Sequence, residues 1–64
     1  MNSARIRALR RQFAESQERF AVRVGVTSTT VRNWETGRVE PSPLGLSALL
    51  RLEGSVTRDT RDGA

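Results

Sequence analysis

The sequence predicts an all-α domain, a small bundle of four or at most five short helices. Three observations carry this: apolar residues recur at spacings of three and four, Ser, Thr or Asn precedes each such run, and Gly or Pro follows most of them. At 64 residues the chain has room for one domain and no interlobe cleft.

The first helix is expected over 3–14, with Ile6, Leu9 and Phe13 on one face, Arg5, Arg7 and Arg11 on the others, and Asn2 or Ser3 as the cap. Ser16 can cap a second helix over 17–24, whose apolar stripe is Phe20, Ala21 and Val24. Gly25 ends it, because glycine takes the left-handed conformation without steric cost. Thr27 can cap a third helix over 28–36, with Val31 and Trp34 inward and Ser28, Thr29, Arg32 and Asn33 as an outer polar strip. Gly37 stops it. Ser42-Pro43 reads as a cap with proline in the first helical position, opening a fourth helix in which Leu46, Leu49 and Leu50, flanked by Leu44 and Leu52, form the last apolar wall, with Gly54 as the stop. The domain is thus expected over 1–53, and the polar stretch 54–64 is expected as a flexible tail.

The net charge of +4 and the pI of about 11.6 favour a polyanionic partner. All 11 basic residues are arginine. A G- and C-rich coding sequence would account for that bias, and selection for guanidinium forks suited to phosphates and guanine edges would as well. Cys, His, Lys and Tyr are absent, which removes disulfides, thiolate and imidazole metal sites and most nucleophilic and acid-base chemistry. No enzyme activity, cofactor or metal is therefore expected. There is no stretch of about 18 apolar residues and no signal-peptide core, so a cytoplasmic protein without membrane contact is expected.

Two helices of eight to nine residues joined by a tight turn at Gly25-Val26 have the layout of a helix-turn-helix. The run from Ser16 to Thr27, with Gln17, Ala21 and Gly25 in frame, followed by Thr30-Val31, Trp34-Glu35-Thr36-Gly37-Arg38 and Pro41-Ser42, resembles the Cro/cI-type (XRE) helix-turn-helix family. The resemblance covers about residues 6–53. It implies a lambda-repressor-like fold and a transcriptional regulator, most simply a repressor, that binds double-stranded DNA through the major groove as a homodimer on a palindromic operator.

Carried over residue by residue, the resemblance places Ser28, Thr29, Arg32 and Asn33 against base edges. It places Gln17, Thr27, Thr30 and Arg38 against phosphates. Asn33 would suit adenine, and Arg32 guanine or a flanking phosphate. The same resemblance implies a structural ion pair between Arg10 and Glu35. Where phage repressors of this family often form a fifth, apolar helix that helps make the dimer, residues 55–63 here offer only Val56. The dimer would then use the leucines of the fourth helix, or assemble weakly on DNA. Trp34-Glu35, Pro41-Ser42-Pro43 and Leu49-Leu50 also resemble the DNA-binding part of antitoxins of the HigA and MqsA types. That allows an alternative, an interaction subunit that neutralises a toxin partner and autoregulates its operon.

Overall fold

Asn2, Ser16, Thr27 and Ser42 each precede a helix, and in each case a side-chain oxygen accepts from an amide that the first turn leaves unpaired: Arg5 at 2.8 Å, Arg19 at 3.2 Å, Thr30 at 3.2 Å and Gly45 at 3.3 Å. The helices that follow are α1 (Ser3–Gln12), α2 (Gln17–Val24), α3 (Ser28–Glu35) and α4 (Pro43–Gly63). They belong to a computed structural model that describes residues 1–63 and the side chains of residues 1–56. The expected frayed tail falls mostly on side chains outside the described residues.

One residue from nearly every turn points to a common centre. Ile6 and Leu9 from α1, Phe20 and Ala21 from α2, Val31 and Trp34 from α3 and Leu49 from α4 are buried together, with Phe13, Val24, Val26, Leu52 and Val56 packed around them. The turn between α2 and α3 is tight because Gly25 lies at φ +94°, which lets the amides of Gly25 and Val26 both donate to the Ala21 carbonyl, at 2.8 and 2.9 Å. Gly45 is needed for a different reason. A Cβ there would lie 3.1 Å from the Trp34 ring, so glycine allows α4 to approach the indole.

Three expectations are corrected. The first helix ends at Gln12 rather than at 14, because Ala14 turns into the left-handed region at φ +53° and donates its amide to the Arg11 carbonyl at 2.9 Å. Alanine is not a residue that advertises such a stop. Gly54 does not end the fourth helix. It lies inside α4 with ordinary helical φ and open space around it, and Val56 beyond it packs on the core. A helical glycine costs about 1 kcal/mol against alanine, too little to break a helix anchored on both sides.

The leucine wall is the third correction. Only Leu49 is fully buried; Leu44 is 86% exposed and Leu50 46%. At about 100° per residue, the direction set by Gly45, Leu49, Leu52 and Val56 leaves Leu44 and Leu50 on opposite flanks of α4.

The strain at Ala14 yields a test. Ala14→Gly should raise the melting temperature by a few degrees, since relief of about 1–2 kcal/mol of crowding exceeds the added chain entropy of glycine, about 0.5–1 kcal/mol. A thermal melt that is unchanged or lower would show the left-handed turn to be unstrained.

Candidate nucleic-acid interface

Helix α3 has two unlike faces. Inward, Val31, Trp34 and Glu35 are buried; outward, Thr29, Arg32 and Thr36 are exposed, and Ser28 and Asn33 are half-buried. Side chains three and four apart share a helical face, so this division follows from the spacing alone. Among the described residues, the side chains of Ser28, Thr29, Arg32 and Asn33 make no hydrogen bond or ion pair. Their donors and acceptors are therefore not spent within the described residues.

Two open concavities flank this strip. One is lined by Thr29, Arg32, Asn33, Thr36, Gly37 and Arg38. The other is lined by Ser16, Gln17, Glu18, Ser28, Thr29 and Arg32. Thr29 and Arg32 belong to both, so the surface runs unbroken from the start of α2, across α3, to the loop after it.

Six of the eight proposed DNA contacts, Gln17, Ser28, Thr29, Arg32, Asn33 and Arg38, lie on this surface. Thr27 and Thr30 stand at the N-terminal end of α3 and line neither concavity. Their hydroxyl oxygens are 2.9 Å apart, and Thr27 Oγ1 also accepts from the Thr30 amide. One hydroxyl donates to the other, which leaves a single hydroxyl hydrogen beside the positive end of the α3 dipole, a place that suits an anion. Beyond Glu35 the chain is held by the Asn33 carbonyl, which accepts from the Arg38 and Val39 amides at 3.0 and 3.3 Å and so fixes the base of the Arg38 side chain.

Behind the strip stands one charged network. Arg10 binds Glu35 through two parallel bonds, Nε to Oε2 at 2.7 Å and a terminal nitrogen to Oε1 at 3.1 Å. Its other terminal nitrogen donates to the Glu15 carbonyl at 3.0 Å. Gln17 Nε2 donates to Glu35 Oε1 at 3.1 Å, and Arg7 donates to the Glu35 carbonyl at 3.2 Å. The end of α3 is thus tied to α1 and α2, with no buried side-chain polar atom left unsatisfied among the described residues. Arg7 was not singled out from the sequence, where it reads as one more solvated arginine. Ser16 and Glu18 join this surface only through the way α2 crosses α3, which spacing along the chain does not give.

Three carboxylates sit beside guanidinium groups. Burial opposes the charge on Glu35, but hydrogen bonds from Arg10 and Gln17 and the nearby charges of Arg10 and Arg7 outweigh it and hold the carboxyl below the usual carboxylate range. Hydrogen bonds from Arg23 to Glu15 and from Arg5 to Glu53 lower those two as well. Arg23 also lies 4.3 Å over the Phe13 ring, which fastens α2 to the end of α1.

A carboxylate whose folded pKa is depressed stabilises the fold above its unfolded pKa, and that stabilisation is lost as pH falls through the folded value. All three shifts have this sign. The melting temperature should therefore be flat from about pH 5.5 to 7, where the chain has no histidine to titrate, and should fall below about pH 4.5 as these pairs protonate. A melting temperature that rises on acidification would contradict these pairings.

Among the described residues, no helix is long and apolar enough to cross a membrane. Neither curated proteins nor solved structures give a significant match to the chain. A family model described as helix-turn-helix matches residues 6–54, most of the chain and the whole of the surface just described. With its cap-turn-cap geometry and outward polar strip, the chain belongs to the Cro/cI-type helix-turn-helix family of DNA-binding domains.

Proposed function

We propose that the chain is a sequence-specific transcriptional repressor that binds a palindromic operator as a homodimer, with α3 entering the major groove. The observation that carries this reading is the contrast within α3: its inner side chains are locked by the core and the Glu35 network, while Ser28, Thr29, Arg32 and Asn33 present unspent polar groups on the outside. A groove about 12 Å wide admits such a helix and offers hydrogen-bonding base edges to these side chains. Gln17, Thr27, Thr30 and Arg38 surround the strip and serve as phosphate contacts that hold the register.

Each copy of the chain carries one α3 and reads one half-site, and half-sites one turn apart, about 34 Å, call for a second copy. The exposed apolar side chains Val22, Val39, Leu44 and Leu50 lie on α2, on the connector and on both flanks of α4.

Selection from random-sequence DNA, followed by titration of the enriched duplex at several salt concentrations, tests the proposal. A palindromic motif bound by two copies of the chain is expected. Enrichment without a motif would sink the claim of sequence reading, and a palindrome bound by a single copy would sink the homodimer. In the same titrations, Arg38→Ala should weaken binding to all sequences alike and flatten the slope of log K against log salt by about 0.9, the loss of one phosphate contact. A change of preferred sequence instead would make Arg38 a base reader.

A further inference from the structure

We infer that Glu35 sets the direction of the Gln17 amide, so that the buried ion pair between α1 and α3 also positions a phosphate donor on α2. This rests on the DNA-binding reading above.

A carboxylate only accepts hydrogen bonds, and only the Nε2 end of the Gln17 amide donates. Glu35 is 4% exposed, and its Oε2 is already taken by Arg10 Nε at 2.7 Å. Its Oε1 receives both an Arg10 terminal nitrogen and Gln17 Nε2, each at 3.1 Å. The amide therefore cannot flip: turning its carbonyl inward would set an acceptor against an acceptor in a place that water barely reaches.

Nε2 carries two hydrogens, and the bond to Glu35 uses one. Gln17 is the first residue of α2 and lines the concavity shared with Ser28, Thr29 and Arg32. The second hydrogen is thus unspent and available to a phosphate oxygen that enters this concavity, on a side chain already held before DNA arrives. A glutamine that donated to phosphate without this support would first have to give up the freedom of three torsions. Glu35 touches no DNA in this arrangement and acts as a positioning residue.

The test replaces the ion pair without leaving a lone charge. The double variant Arg10→Met/Glu35→Leu substitutes apolar residues of similar size, an exchange that buried pairs often tolerate, and removes the acceptor that holds Gln17. Affinity for the duplex enriched from random DNA is measured with and without Gln17→Met in both backgrounds. In the wild-type background Gln17→Met should weaken binding about tenfold, and in the double variant about twofold or less, because the donor is no longer aimed.

Equal losses in the two backgrounds would overturn the inference, since Gln17 would then act without Glu35. No loss in the wild-type background would overturn it too, leaving Gln17 with a structural part only. A wild-type chain that binds no duplex would remove the DNA-binding reading itself, a different failure.

If the double variant does not fold, NMR on the wild-type chain decides. One Gln17 Nε2 hydrogen should exchange slowly with solvent in the free protein, and the other should become protected when the duplex is added. Equal exchange of the two in the free protein would overturn the inference.

Discussion

Arg10→Ala should lower the melting temperature by more than about 12 °C. Removing one partner of a buried ion pair leaves the other charge poorly solvated and costs about 3–5 kcal/mol. Arg10 keeps 19% of its side chain exposed, so the lower figure applies, and in a domain of this size each kcal/mol shifts the midpoint by about 4–8 °C. The loss has three parts: the two bonds to Glu35, the bond to the Glu15 carbonyl, and the packing of the arginine stem.

Arg10→Met separates them, since it keeps the stem and loses only the polar contacts; it should fall between the wild type and Arg10→Ala. Arg5→Ala is the control. Its bond to Glu53, 2.7 Å from Nε, has similar geometry but lies in solvent, with Arg5 52% exposed, and should change the midpoint far less. If Arg10→Ala and Arg5→Ala melt together, burial is not what gives the Arg10 pair its weight.

Asn33→Ala should leave the fold intact and relax sequence preference at one base position in each half-site, with a loss of about 1–3 kcal/mol on the preferred duplex, or roughly 5- to 150-fold in affinity. The stability expectation follows from position. The Asn33 side chain makes no hydrogen bond among the described residues, and what holds the turn after α3 is its backbone carbonyl, which alanine keeps. The recognition expectation follows from chemistry, since an amide offers a donor and an acceptor side by side and matches the paired acceptor and donor on the adenine edge. Binding assays on the selected duplex and on duplexes altered at single positions would check it. Uniform weakening at every position, without loss of preference, would make Asn33 a phosphate contact instead.

These two residues show what kind of information was present in the chain. Asn33 could be placed on the outer face of α3 from spacing, because Val31 and Trp34 declare the inner face and the helix has fixed geometry. The caps at Ser16, Thr27 and Ser42 were legible for the same reason, and Asn2 as one of two candidates: each is a local event within three residues. Gly25 was legible as a left-handed residue and Gly37 as a helix stop, whereas Ala14, which is left-handed at φ +53°, was not. Propensity identifies the residue that adopts a conformation cheaply, and only the surrounding structure can force it on one that does not.

The amino-acid sequence by itself determined the helical class, the N-terminal caps, the turn at Gly25, the buried stripes of α2 and α3 and the outward polar strip of α3, because these depend on interactions within one or two turns. Tertiary structure alone decided that Gln17 and Arg7 converge on Glu35, that Leu44 and Leu50 stay outside the core, that α4 runs past Gly54, and that α2 and α3 share one continuous polar surface. Each of these depends on where one helix axis lies against another, which is set by the packing of Phe20, Trp34, Gly45 and Leu49 around a common centre.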